Sequence, residues 1–494
     1  MKVAVIGSGI AGLASSIRLR SMGLEVSVFE TNSYPGGKLT NIELEEFRFD
    51  AGPSLFTMPQ YVEELFEIAG KDTSDYFEYE KVKVNCHYFY PDGTFVKAYS
   101  DQRKLSKEFS DKFDVSSKVI EDYFKESQIT YEEAGRIFLE KSLHKYDTWL
   151  SGDVLKALIK ISKYDINRSL NNVNKSKLKH PKLVQLFNRY ATYNGSNPYV
   201  TPGIMKTIPH LEHGIGTFLP KGGMHAIATS LYELAQDIGV EFKFNTPVEE
   251  IVLENGKLSG IKSKSEIHAF DLVVSNMDVY HTYQKLLPQL ETPKQIVKQE
   301  RSSSALIFYW GINREFPELD LHNIFFSEDY KQEFDFIFNQ KQISTDPTVY
   351  VNITSKYNKT DAPKGSENWF VMINAPYNEN QNWSEMTLKV RSSVIEKLSQ
   401  ALKVNLEDHI VIEDTLDPIK IEARTQSYRG SLYGTSSNDK LAAFLRHPNF
   451  KSSTEGLYFC GGSVHPGGGI PLCLLSAKIV GDLVSKKYKK QLAA

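Results

Sequence analysis

Val3-Ala4-Val5-Ile6 is an unbroken apolar run of strand length. The glycine-rich turn Gly7-Ser8-Gly9-Ile10-Ala11-Gly12 follows it, and then Leu13, Ala14, Ile17 and Leu19 recur at helical spacing up to Met22-Gly23. Glu25 to Glu30 alternates and carries branched residues, as a strand does. The first strand is apolar on both faces, so the three pieces predict a βαβ unit in a sheet covered on both sides.

Further along, residues 31–60 form a Gly/Pro-rich connection, and residues 100–190 are Lys/Glu-rich with helical spacing. Asn194-Gly195-Ser196-Asn197-Pro198 breaks that stretch. Pro220-Lys221-Gly222-Gly223 opens a helix running to about Gly239. Short strands are expected at 241–244, 248–253 and 272–274, and strand-like runs at Ala305 to Trp310, Thr348 to Ile353 and Trp369 to Ile373. The chain closes on strand, glycine loop and helix: Leu457 to Cys460, Gly461 to Pro471, and Leu472 to Leu483. No internal repeat is visible.

Composition narrows the function classes. The 494 residues carry 58 basic and 61 acidic side chains, a net charge of −3, which gives no reason to expect a nucleic-acid partner. With 41% hydrophobic residues the chain can fill a core. Cys86, Cys460 and Cys473 are too few for a disulfide framework, which suits a reducing cytoplasm. The two that flank the glycine loop, Cys460 and Cys473, read as small core residues. The first strand starts at Val3 with no leader expected before it, and no apolar window is long enough to predict a spanning helix.

Gly7, Gly9 and Gly12 have the spacing of a dinucleotide fingerprint. The first permits the tight turn, the second lets the backbone approach a pyrophosphate, and the third lets helix and strand pack closely. The intervening Ser8, Ile10 and Ala11 present backbone N–H groups at a helix start. Glu30 ends the second strand, where a carboxylate can accept from a ribose diol. Near the C-terminus, Gly462, Gly468, Gly469, Ile470 and Pro471 make a second glycine loop before a helix, able to hold a phosphate and to stabilise negative charge. The triplet Gly461, Ser463, His465 only imitates a hydrolase elbow, since its final glycine is absent. His210 and His213 lack a third ligand at zinc spacing, so no metal is expected.

Two stretches admit two readings each. Lys486, Lys487, Lys489 and Lys490 form either a solvated helix end or a membrane-attracted tail. Val154, Leu155, Leu158, Ile159 and Ile161, interleaved with Lys156, Lys160 and Lys163, pack on the chain's own core or lie on a bilayer.

The strand-Glu, the turn Gly36-Gly37-Lys38 and the run Phe49-Asp50-Ala51-Gly52-Pro53-Ser54 resemble the flavin-binding pattern of the amine-oxidase and carotenoid-desaturase superfamily. With Tyr193 to Pro198, Pro220 to Gly223 and His465 to Pro471, the pattern resembles bacterial carotenoid desaturases of the phytoene-desaturase type. Gly52 to Pro59 looks closest to the hydroxycarotenoid 3,4-desaturase branch. The resemblance implies an α/β fold with a Rossmann-type FAD-binding domain (1–100, 215–290 and 415–494) interleaved with a mixed α+β substrate domain facing the membrane (101–214 and 291–414). It implies FAD as cofactor, held also by Gly36, Gly37, Lys38, Gly52, Pro53, Ser54 and the backbone of Val248. It further implies a carotenoid substrate and peripheral attachment to the inner face of the cell membrane.

The chemistry expected is removal of a hydride from an allylic carbon to flavin N5, and of a proton from its neighbour; no residue is assigned as proton acceptor. A C40 polyene offers almost no polar handle, so affinity must come from apolar burial at about 0.8 kcal/mol per methylene. A terminal hydroxyl would need a buried partner, for which Tyr193, Asn194, Asn197 and His210 are candidates. Phytoene desaturation, amine oxidation and non-enzymatic lipid carriage stand as the alternative functions.

Overall fold

The computed structural model describes residues 1–439 and 445–492, apart from the side chains of Asp153 and Leu155. The expected βαβ unit is present. Lys2–Ile6 lies between Glu25–Phe29 and Leu272–Ser275, with Glu241–Lys243 and Leu457–Phe459 at the edges of a five-stranded sheet whose pairs are all parallel. Val3, Ala4 and Val5 are buried, as the apolar run requires. The helices Ile10–Ser21, His225–Asp237 and Ile470–Leu492 share one core on this sheet. The antiparallel strands Val248–Glu254 and Lys257–Ser263 join a second core containing Ala4, Ile6 and Val273, and Glu266–Ala269 pairs on the outer edge of Lys257–Ser263. The two ends of the sequence thus meet in one layer.

A seven-stranded mixed sheet forms the second body. Its order is Ile410–Leu416, Ser304–Ile312, Glu367–Ala375, Val349–Asn352, His322–Phe325, Val84–Phe89 and Phe95–Tyr99. The helix Trp383–Leu402 packs on one face of it, through Trp383, Val390, Val394 and Leu398 against Phe308, Trp310, Trp369 and Val371. The opposite face turns toward a large cavity.

Three expectations change. The strands at 84–99 belong to this second sheet, because Val84–Phe89 pairs in parallel with His322–Phe325; a first segment running to residue 100 therefore crosses from one sheet to the other. The Gly/Pro-rich connection contains a hairpin, Asn41–Leu44 with Phe47–Asp50, turned at Glu45 with a φ of 50°. The helix after Pro220 starts only at His225, since Gly222 and Gly223 have φ of 82° and 86°, outside helical space. The 100–190 stretch is helical as its spacing predicts, beginning with Gln102–Phe113, which Asp101 caps by accepting from the Lys104 N–H at 2.8 Å. Among the described residues no helix is long and apolar enough to cross a membrane.

Candidate active site

The site grows from the first turn of the chain. Gly9 caps the helix Ile10–Ser21 without a side-chain partner, and the first helical bond is Leu13 N–H to the Gly9 carbonyl at 2.9 Å. The N–H groups before it, with the positive end of the helix dipole, are left for another acceptor. A Cβ on Gly12 would stand 2.0 Å from the Gly7 carbonyl, and one on Gly9 would stand 2.7 Å from Asn276 Nδ2. Ser8 is buried behind this turn, and both its N–H and its hydroxyl donate to Glu30 Oε2, at 2.7 and 2.8 Å. Glu30 Oε1 accepts from the Asn32 N–H at 2.8 Å and its amide at 3.0 Å. The carboxylate is therefore fixed at the end of its strand.

A second layer closes over the first. The Gly36 N–H donates to the Ser8 carbonyl at 2.9 Å, and a Cβ on Gly37 would stand 3.3 Å from Gly9 Cα. Lys38 is partly buried, its ammonium donates to the Leu432 carbonyl at 2.9 Å, and desolvation lowers its pKa. Gly52 packs onto the Lys38 carbonyl so closely that a Cβ would stand 1.8 Å from the oxygen. Asp50, buried beside it, accepts from the Met224 N–H at 2.8 Å and from Arg48 at 2.9 Å.

The C-terminal glycine loop forms the third wall. The Gly461 N–H donates to Ser476 Oγ at 2.8 Å, and a Cβ on Gly468 would meet Tyr433 Cα at 2.8 Å. Arg446 braces the loop by donating to the Tyr433 carbonyl at 2.6 Å and the Gly462 carbonyl at 3.2 Å. Burial pushes its pKa down to about 10, so it keeps its charge at neutral pH. Ser463 Oγ accepts from the Val279 N–H at 2.9 Å while His465 Nε2 lies 2.9 Å from the Lys141 carbonyl, so the two do not pair as nucleophile and base.

These walls open into one cavity of about 1220 Å³, larger than the roughly 300–1,000 Å³ of most small-molecule sites. Of the residues expected to bind cofactor, Gly7, Gly9, Ile10, Ala11, Glu30, Gly36, Gly37, Lys38, Gly52, Pro53, Ser54, Val248, Gly462, Gly468, Gly469, Ile470 and Pro471 line it. Ser8 and Gly12 stand behind the lining: Ser8 orients Glu30, and Gly12 admits the strand. Beyond the glycine walls the cavity runs along the free face of the mixed sheet, where Ile307, His322, Ile324, Tyr350, Phe370 and Met372 project from alternating positions.

One part of this apolar wall is polar. Arg189, Tyr193, Asn194 and Glu212 line it. Arg189 donates to Tyr88 Oη at 2.8 Å, Tyr193 Oη at 3.3 Å and Glu212 Oε2 at 3.4 Å, and its guanidinium lies over the rings of Tyr88, Tyr190 and Tyr193. Glu212 also accepts from Tyr190 at 3.1 Å and from Tyr193; burial opposes its charge, but Arg189 and these donors hold its pKa below the usual carboxylate value. His213 sits behind, 2.6 Å from Tyr190 Oη and 2.9 Å from Asn85 Nδ2, with desolvation lowering its pKa to about 4. His322 Nδ1 is 2.7 Å from Tyr350 Oη, which in turn is 2.8 Å from Ser54 Oγ; burial lowers the His322 pKa to about 4.

Of the four candidates for meeting a hydroxyl, Tyr193 and Asn194 are in the wall and the other two are outside it. The Asn197 N–H donates to Asn438 Oδ1 at 2.7 Å, and the His210 ring packs on Tyr131 at 5.4 Å. Arg189, Glu212, His322 and Tyr350 carry no signal in a single sequence, because distant segments bring them together. Among the described residues no group of three His, Cys, Asp or Glu side chains is placed to hold a metal.

The family sequence model described as flavin containing amine oxidoreductase matches residues 10–484. A "1-hydroxycarotenoid 3,4-desaturase" of Flavobacterium sp. (strain P99-3) is 53% identical over 98% of this chain and 99% of its own length. A "4,4'-diapolycopene oxygenase" of Methylomonas sp. is 33% identical over 98% of each. Among solved structures, a redesigned putrescine oxidase superposes with a TM-score of 0.63 at 13% identity, covering 99% of both chains. Cyclohexylamine oxidase from Brevibacterium oxydans does so with a TM-score of 0.62 at 15% identity, again over 99% of both. These two show the fold.

Proposed function

The chain belongs to the family of flavin containing amine oxidoreductases and is an FAD-dependent oxidoreductase, and from that premise we propose that it introduces the 3,4 double bond into a 1-hydroxycarotenoid. The observation that carries this reading is the single cavity joining the glycine walls to an apolar sheet face with one polar patch. A polar amine substrate would gain little from Ile307, Ile324, Phe370 and Met372, whereas a polyene gains affinity from each methylene they cover.

The residues present fit FAD. Gly9, Gly12 and Gly52 each lie where a Cβ would strike a neighbour, so the chain keeps close backbone approaches that an ordinary turn would not need. Ile10 and Ala11 would hold the pyrophosphate, Glu30 the adenosine ribose, and Val248 the adenine edge. The loop Gly461–Gly469 and the start of the helix Ile470–Leu492 would receive the flavin end. Glu30 would accept a ribose diol in place of the side-chain donors of Ser8 and Asn32, with their backbone N–H groups left to hold the carboxylate. When bound, FAD supplies the hydride acceptor.

The chain's own residues orient the polyene and exclude water. The sheet face fixes the plane of the chain, Lys38 ties the Gly-Gly-Lys turn to the Leu432 carbonyl, and Gly52 lets the Gly-Pro-Ser turn close on the Lys38 carbonyl.

A membrane-facing side accompanies this reading. Tyr146, Leu150 and Ile159 are 80%, 63% and 83% exposed, an apolar set interspersed with Lys156, Lys160 and Lys163. Lys486, on the last helix, ion-pairs with Asp147 in the same region. The segment preceding it contributes Tyr131 and Leu139 to the cavity wall, so the patch and the cavity share one structural unit. Of the sequence-stretch residues, Val154 is buried in the core, Ile159 and Ile161 face outward, and the side chain of Leu155 lies outside the described residues.

The test is anaerobic mixing of the flavin-loaded protein with a 1-hydroxycarotenoid, with phytoene and with a primary amine. Bleaching by the first, with a product two mass units lighter, is expected. Bleaching by phytoene alone or by the amine alone overturns the reading.

A further inference from the structure

Arg189 is buried in a cavity whose remaining sheet face is apolar, and the cost of putting a guanidinium there is met by an unusual set of neighbours. Glu212 neutralises it, Tyr88 and Tyr193 accept from it, and three tyrosine rings lie against its face. Glu212 is itself saturated by Tyr190, Tyr193 and Arg189. A pure hydrocarbon has no use for such a group. The cluster is also incomplete: Arg189 Nε and Asn194 Oδ1 are buried without a hydrogen-bond partner, and both residues line the cavity. A ligand hydroxyl that reaches this corner of the wall therefore meets an unpaired donor and an unpaired acceptor. One atom lacks an acceptor and the other lacks a donor, which is what a neutral hydroxyl supplies, since it can do both at once.

We propose that Arg189, held in place by Glu212 and Tyr193, is the receptor for the hydroxyl at one end of the carotenoid, and that this contact sets the preference for hydroxylated over plain hydrocarbon polyenes. The assignment rests on the desaturase reading and adds to it the residues that choose the substrate. The hydroxyl oxygen accepts from Arg189 Nε, and its hydrogen goes to Asn194 Oδ1. Anchoring C1 in this way places the C3–C4 bond, two carbons further on, at a fixed point along the sheet face. Glu212 and Tyr193 act through Arg189 and are positioning residues.

The experiment compares kcat/KM for a 1-hydroxycarotenoid with that for the same polyene lacking the hydroxyl. Arg189→Met with Glu212→Gln removes both charges together, which avoids leaving one buried alone. Tyr193→Phe keeps the ring and removes one acceptor from Arg189. Flavin absorbance reports whether each variant is folded. In the double variant the preference for the hydroxylated polyene is expected to fall at least tenfold, and in Tyr193→Phe severalfold, with the loss carried by KM for the hydroxylated substrate. An unchanged preference in either flavin-loaded variant overturns the proposal; should the double variant lose flavin, the Tyr193→Phe result decides alone. Wild-type protein that converts both polyenes equally well also overturns it, while leaving the desaturase reading intact. Wild-type protein that converts neither removes the desaturase reading itself.

Discussion

Glu30 Oε2 receives both the backbone N–H and the hydroxyl of Ser8, at 2.7 and 2.8 Å, so one carboxylate oxygen ties the second strand to the glycine turn 22 residues earlier. With Asn32 on the other oxygen, the carboxylate is an assembled acceptor before any ribose arrives. Glu30→Gln turns one face of that acceptor into a donor and opposes it to an N–H of Ser8 or Asn32. The expected result is a loss of roughly 1–3 kcal/mol in stability and at least a tenfold fall in FAD affinity. Thermal melting and release of fluorescent flavin on dilution measure the two, and a variant that keeps its flavin as tightly as the wild type would contradict the role given to Glu30.

Gly52 tests the contact between the Gly-Gly-Lys and Gly-Pro-Ser turns. An alanine there puts Cβ 1.8 Å from the Lys38 carbonyl, and backbone cannot yield as a flexible side chain can. Gly52→Ala is expected to destabilise by about 1–3 kcal/mol and to yield largely colourless protein. Gly152→Ala is the control: its Cβ meets nothing within 4 Å and it begins the helix Gly152–Ile159, so the change is neutral or slightly stabilising.

Much of this was legible in the chain. A doubly buried apolar strand, a glycine turn and an alternating strand fixed the parallel sheet, because each is a local pattern with one physical reading. The glycine walls of the cavity were legible for a similar reason: Gly12 and Gly52 are glycine because a single carbon would collide with a carbonyl. The polar wall was not legible. Arg189 and Glu212 are separated by a broken helical stretch, and His322 and Tyr350 sit on different strands; only tertiary packing joins them. Cys86, read only for its redox compartment, turns out to line the same wall on a strand whose sheet no local pattern could name.

The buried histidines give the fold an acid-sensitive side. His213 and His322 have pKa values lowered by desolvation from 6.5 to about 4 in the folded chain. Between those values the unfolded chain binds protons that the folded chain refuses, so stability falls as pH drops from 6.5 toward 4. Each contributes up to roughly 3 kcal/mol by the acid end of that window. Glu333 and Asp361, whose carboxyl pKa values burial raises, act in the opposite direction, so the comparison must be between variants. Urea unfolding at pH 7 and pH 5 should show a smaller loss for His213→Gln than for wild type; equal losses would mean that His213 is not neutral in the fold.

The exposed apolar set beside the cavity makes the last prediction. Tyr146, Leu150 and Ile159 present large apolar side chains to water within one short stretch of chain, and the lysines among them suit an anionic bilayer. Leu150→Ser with Ile159→Ser removes apolar area from the patch without touching the core, where Val154 and Ala157 hold the same helix. Fold stability and flavin content should stay within about 0.5 kcal/mol and a few per cent of wild type. Co-sedimentation with phosphatidylglycerol-containing vesicles should fall severalfold, more so at high salt, where the lysines are screened. Turnover of carotenoid supplied in vesicles should fall with it, while turnover of detergent-dispersed carotenoid, which needs no bilayer docking, changes little. If vesicle binding persists, this patch is not what docks on a bilayer; if both modes of supply suffer equally, the patch shapes the cavity and does not dock.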